Sequence, residues 1–165
     1  MRRILFASLF IISAINCQAQ VHRHYPLSVL KDTAEYLHKN FIEQKEYFVG
    51  KTLKEVVDVY KKDLPLKRIT TSGTPRRKDP ERISRLESAS LDWLSQLESF
   101  NLYEISFKQL TNFKIVFKPP YKIRHSKLDE ILPEDYTAED VYELLWDLEV
   151  HDIIIKGKYA KGEKQ

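Results

Sequence analysis

Cysteine is almost missing from this chain, and the one it has sits in an apolar leader. Cys17 is the only cysteine among 165 residues, so no internal disulfide can form, and thiolate metal centres and cysteine nucleophiles are excluded downstream of it. Glycine is scarce too. The four glycines, Gly50, Gly73, Gly157 and Gly162, are too far apart for a Walker loop or a G-x-G-x-x-G phosphate cradle. Neither G-x-S-x-G nor H-E-x-x-H occurs. The acidic stretch late in the chain contains no glycine at all, which excludes the interleaved oxygen loop that calcium takes. Long apolar runs are also missing. The longest, Ile4–Ile15, has twelve residues interrupted by Ser8 and Ser13, too few to span a bilayer.

That short run is nevertheless the most informative part of the sequence. Arg2 and Arg3 precede it, and Cys17 and Ala19 follow at the −3 and −1 positions of a cut before Gln20. This is the pattern of a secretory signal peptide over residues 1–19. The competing reading makes Cys17 a lipidated first residue, which would anchor the chain to a membrane. Lipoprotein sites favour Leu at −3 and Gly, Ala or Ser at −1, whereas this chain has Ala14 and Asn16. The expectation is therefore a periplasmic or extracellular protein with no transmembrane segment in its mature form. Residues 20–165 number 146, enough for one domain with its own core and no need of disulfides or metal.

The charge balance excludes general nucleic-acid binding. Of a formal net charge of +3, Arg2 and Arg3 supply two, so the mature chain is near +1, without the concentrated basic surface that a phosphate backbone requires. Charge is, however, segregated. Residues 61–85 carry nine basic and three acidic side chains, and residues 128–152 carry ten acidic ones with no Lys or Arg. Two segments of opposite sign either neutralise each other or leave a surface for an ionic partner.

The apolar period gives the organisation. Leu30, Ala34, Leu37, Phe41 and Phe48 fall at helical spacing between Pro26 and Gly50, predicting an amphipathic helix of about five turns. Thr52-Leu53-Lys54-Glu55 is a capping-box pattern that opens a second helix with Leu53, Val56, Val57 and Tyr60 inward, before Pro65. The short connection predicts a helical hairpin. Residues 66–72 suggest a strand, and Ser72–Lys78, with Gly73, Pro75 and three consecutive cations, an exposed loop. From Asp79 to Leu97 helix and strand compete; Asp79-Pro80-Glu81 and the spacing of Ile83, Leu86, Trp93, Leu94 and Leu97 favour helix. The period then becomes two. Tyr103, Ile105 and Phe107, and then Phe113, Ile115 and Phe117, predict two paired antiparallel strands, the second stopped by Pro119-Pro120. Thr137 and Asp140 cap a third helix carrying Val141, Leu144, Leu145 and Leu148, with Tyr136 placed as a hydrophobic staple on Val141. A strand near 150–159 closes an ordered core of about 26–160. The fold class is α+β: an N-terminal helical hairpin on a small antiparallel sheet, with a further helix before the last strand.

Few residues carry chemistry. His38, His125 and His151 are scattered; a carboxylate–histidine hydrolase would need His125 or His151 to meet acids from 129–135 or Asp152 in a concave site. A cut after Ala19 would place His22 third from a free amine, a pattern that binds Cu(II) or Ni(II) through amine, amides and imidazole. No cofactor is otherwise implied. Aromatic residues, 12% of the chain, offer Trp93, Trp146 and Tyr121 for stacking on a sugar, against a bland reading as core. Arg76, Arg77 and Lys78 are the candidate site for an anionic partner.

Several stretches taken together, Ala19-Gln20, Tyr47-Phe48-Val49-Gly50-Lys51, Leu64-Pro65-Leu66-Lys67, Phe113–Phe117 with Pro119-Pro120, the acidic helix bearing Trp146 and Ile153-Ile154-Ile155, give a resemblance. The chain resembles a group of small uncharacterised exported proteins of Bacteroidota-type bacteria. The resemblance implies a small α+β domain and transfers no catalytic residue. The reading that follows is an exported, soluble, non-enzymatic domain binding a protein or envelope component; a small envelope hydrolase and a carbohydrate-binding module are the alternatives.

Overall fold

The computed structural model describes residues 21–73, 85–92, 112–121, 123–124 and 126–156. The expected leader with Cys17, the basic loop at 76–78, Trp93, the strand at 103–107 and His125 lie outside the described residues. Among those described, five α-helices and one four-stranded antiparallel sheet make an α+β fold, with the helical hairpin before the sheet and a helix before the last strand.

The first predicted helix exists in pieces. A 3-10 turn at Leu27–Val29 precedes α1 (Thr33–Leu37), a π turn at His38–Ile42 and α2 (Lys45–Phe48). The Asp32 carboxylate accepts from the Glu35 N–H at 2.8 Å, so capping starts the helix there rather than at Pro26. The carboxamides of Asn40 and Gln44 donate to the carbonyls of Tyr36 and Lys39 at 3.0 and 2.9 Å. Side chains thus take acceptors that a continuous ladder would use, and the helix widens into the π turn. The apolar positions still face inward, with Ala34, Leu37, Phe41 and Phe48 all buried.

Gly50, at φ +84°, ends α2 in the left-handed region that glycine adopts without a Cβ clash. Helix α3 (Leu53–Tyr60) opens as its sequence predicts: the Glu55 carboxylate accepts from the Thr52 N–H at 2.9 Å and from its hydroxyl at 3.2 Å. Its next N–H groups, those of Leu53 and Lys54, donate to the carbonyls of Leu148 and Trp146, both at 2.9 Å. The orphan donors of a helix start therefore bind the hairpin to the turn before the last strand.

The sheet runs in sequence order: β1 (Arg68–Ser72), β2 (Ser88–Asp92), β3 (Asn112–Phe117) and β4 (Val150–Lys156). Two expectations are corrected here. Within 79–97, where helix was favoured, Ser88–Asp92 is a strand paired on both sides, Ala89 opposite Thr71 and Ile115, and Leu91 opposite Ile69 and Phe113. The serines that weaken a helix suit it, because Ser88 bonds Ser72 Oγ to Oγ at 2.8 Å across the ladder. The partners of β3 are β2 and β4, not the strand expected at 103–107. β3 ends at Phe117, just before Pro119-Pro120, as two residues without N–H donors require.

Two further helices, α4 (Ser126–Ile131) and α5 (Ala138–Leu145), precede β4. The Thr137–Asp140 box closes in both directions: the Thr137 N–H donates to Asp140 at 2.7 Å and the Asp140 N–H to Thr137 Oγ1 at 3.3 Å. Val141 and Leu145 are buried, while Tyr136 is half exposed. The core centres on Phe113. Phe41 from the π turn lies 4.7 Å from it and Tyr60 from α3 stacks on it at 5.9 Å, ring centroid to centroid. Both arms of the hairpin meet the sheet at one residue.

Candidate functional site

The end of β3 and the two helices that follow it build a concave surface with two clefts. Pro119 and Pro120 follow the end of the sheet strand, and Ile123 and Arg124 lie beside Leu86 and Arg85. The Leu86 N–H donates to the Ile123 carbonyl at 3.0 Å, and the Arg85 guanidinium to the Tyr121 carbonyl at 3.3 Å. This pairing walls a cleft of 340 Å³. Leu86, Phe117, Ile123 and Leu148 make its apolar floor, while Tyr121, Lys118, Asp147 and Glu149 stand at its rim. Lys118 and Glu149 form an ion pair across the β3–β4 end.

A second cleft of 600 Å³ adjoins it and shares Ile123. It runs between α4 and α5, floored by Leu128 and Leu144 and edged by Arg124, Lys127, Glu130 and Ile131. Ile131 is 51% exposed and Trp146 50%. Trp146 caps the C-terminus of α5 and lines neither cleft. Its carbonyl is taken by Lys54, and its indole stays at the surface. Ile131 is thus an exposed apolar contact point at the edge of the second cleft.

The other candidates fare differently. Arg76, Arg77 and Lys78 lie outside the described residues. His22 is docked: its Nε2 donates to the Asn40 carbonyl at 2.9 Å and its ring sits 5.2 Å from both Tyr47 and Phe48. Burial holds its imidazole below the ordinary value. Among the described residues no group of three or more His, Cys, Asp or Glu is placed to hold a metal. His151 is exposed on β4, at the register shift opposite Val116 and Phe117, and its neighbour Asp152 accepts from Lys45 Nζ at 2.7 Å. Those two do not converge. An imidazole–carboxylate pair that spacing in the sequence hides is His24–Asp63, at 3.0 Å, and it serves to hold the N-terminal segment.

Charge segregation resolves in part into self-neutralisation. Lys61, from the basic segment, pairs with Glu139 of the acidic one at 2.6 Å, and β1 packs beside α5. Lys45 and Lys118 take Asp152 and Glu149. Glu130, Glu134, Asp135, Glu143 and Asp147 have no ion-pair partner among the described residues.

Tyr121 is the residue of the cleft that the sequence singled out, as a stacking candidate. Ile123, Leu144 and Asp147 carry no local signal, because the groove arises where Ile123 and Arg124 lie beside Leu86 and Arg85. Comparison with protein-family models, with curated proteins and with solved structures finds no match.

Proposed function

We propose that this chain is an exported, non-enzymatic binding domain that takes a segment of another protein of the cell envelope in the groove centred on Ile123. The observation that carries the reading is the pair of adjoining clefts that share Ile123, with Ile131 exposed at the edge of the second. An apolar floor with separated charges around it, Arg124 and Lys127 at one end and Asp147 at the other, suits a polypeptide that brings both apolar side chains and charge. The short apolar leader, with its two arginines and its small residues at 17 and 19, supports export, and no helix among the described residues is long and apolar enough to cross a membrane.

A photo-crosslinking side chain at Ile131, in cells producing the full chain, tests the site. One protein adduct is expected, and it should vanish when Ile123→Glu is added, while the same probe at Lys31 on the N-terminal side gives none. Equal adducts from both positions, or glycan-bound rather than protein-bound adducts, would overturn the reading. Mass spectrometry of the envelope fraction should find Gln20 as the first residue; a diacylated Cys17 would instead make the protein an anchored one.

A further inference from the structure

The segment 21–26 is neither helix nor strand, and side chains of the body hold its backbone. Gln44 binds Arg23 twice: its Oε1 accepts from the Arg23 N–H at 2.7 Å and its Nε2 donates to the Arg23 carbonyl at 2.8 Å. Asn40 does the same two residues on, accepting from the Tyr25 N–H at 2.8 Å and donating to the Tyr25 carbonyl at 2.9 Å. Asp63 accepts from the Leu27 N–H at 3.2 Å. Two carboxamides four residues apart on a helical turn thus present the donor–acceptor pairs that a neighbouring strand would, at the two-residue period of an extended chain. The alternate side chains fill apolar slots, His22 between Tyr47 and Phe48, and His24 against Tyr36 and Asp63.

We propose that residues 21–25 form an exchangeable arm, and that the groove holding them in one copy accepts the same arm from a second copy. The groove is built without the arm. The helix itself holds both carboxamides through the carbonyls of Tyr36 and Lys39, and Asn40 is fully buried. With the arm lifted, Asn40 Oδ1 and Gln44 Oε1 lose the backbone N–H groups they accept from, so the emptied groove presents acceptors and donors set for an extended chain. The hydrogen bonds on the arm's backbone at residues 23 and 25 come from the side chains of residues 44 and 40, so another copy's arm would find an identical set. Pro26, one 3-10 turn and extended Leu30 connect the arm to α1, a link without ladder bonds to break. Exchange of an identical element conserves the contacts and changes only whose arm makes them, which is why it is a low-cost route to dimers. Recognition through the main chain is the logic of strand addition, with side-chain slots giving selectivity.

Two full-length variants test this. Asn40→Ala/Gln44→Ala removes the clamps and keeps the arm; Arg23→Pro/Tyr25→Pro removes the two N–H donors and keeps the groove. Each alone should sediment as a monomer. Mixed, they should form a one-to-one dimer, the arm of the first in the groove of the second, and Val21→Pro in the first should not prevent it, since that N–H has no partner among the described residues. A mixture that stays monomeric while both variants melt cooperatively would overturn the proposal. Should either variant fail to fold, hydrogen exchange on the unaltered chain decides. The Arg23 and Tyr25 amides are expected to exchange well before the core of β3; exchange only through global unfolding would show an arm that never leaves.

Discussion

At the scale of single residues, two buried tyrosines separate what a hydroxyl does from what a ring does. Tyr36 and Tyr60 are both fully buried, but Tyr36 donates to the Val59 carbonyl at 3.0 Å while the Tyr60 hydroxyl has no hydrogen-bond partner among the described residues. Burial pushes both phenols far above their ordinary range, with Asp63 adding to the effect at Tyr36 and Asp92 at Tyr60. Tyr36→Phe should cost about 1 kcal/mol, the usual net worth of a buried hydrogen bond, whereas Tyr60→Phe should be neutral or stabilising because it removes an unsatisfied group. Urea unfolding of the two variants checks the contrast, and equal losses would contradict it. His22 adds a pH dependence. Its folded value lies below that of the unfolded chain, so its docking stabilises the protein fully above the ordinary imidazole range. That stability is lost as pH falls through the folded value. His22→Phe, which keeps a ring in the slot but cannot titrate, should flatten the decline in melting temperature between neutral and mildly acidic pH. None of this is legible in the sequence, since the partners of residues 22, 36 and 60 come from distant segments.

At the scale of elements, what was legible was local. Thr52–Glu55 and Thr137–Asp140 are signals contained in four residues, and both open helices where their spacing says. Gly50 and Pro119-Pro120 end their elements for equally local reasons. The π turn at His38–Ile42 was not legible, because the apolar spacing through Phe41 fits a continuous helix; what interrupts it is Asn40 and Gln44, whose side chains answer to the arm at 23–25. The strand at Ser88–Asp92 was missed for a related reason. Its alternation of Ser with Ala and Leu is weak, and pairing with strands on both sides decides the outcome against propensity. A test at this scale is Thr52→Ala. It removes the hydroxyl that bonds Glu55, and it should cost about 1 kcal/mol by chemical denaturation. Because Leu53 and Lys54 donate to Leu148 and Trp146, loosening this cap should also raise hydrogen exchange at the start of β4. An effect confined to α3 would mean that the hairpin and the last strand are not coupled as their hydrogen bonds imply.

At the scale of the whole molecule, the sequence's most conspicuous pattern and the fold's main source of stability are different things. The opposite charges of residues 61–85 and 128–152 draw attention, yet the pair that joins them, Lys61–Glu139, is at the surface, its side chains 36% and 52% exposed. Pairs of that kind contribute about 0–1 kcal/mol and less at high salt. Phe113 draws none, being one aromatic in an alternating strand, but it is fully buried where Phe41, Tyr60 and Leu91 converge. Removing its ring leaves a cavity that three elements line and that cannot close without moving the hairpin off the sheet. Phe113→Ala should therefore cost about 3–5 kcal/mol, within reach of the whole stability of a domain this size. The double variant Lys61→Ala/Glu139→Ala should lose about 1 kcal/mol at most, and raising the salt should erase what it loses. Denaturant titrations of the three proteins at low and high ionic strength provide the comparison. A charge variant as unstable as Phe113→Ala, or a strong salt dependence of the unaltered protein, would place the stability in the segregated charges instead of in the aromatic hub.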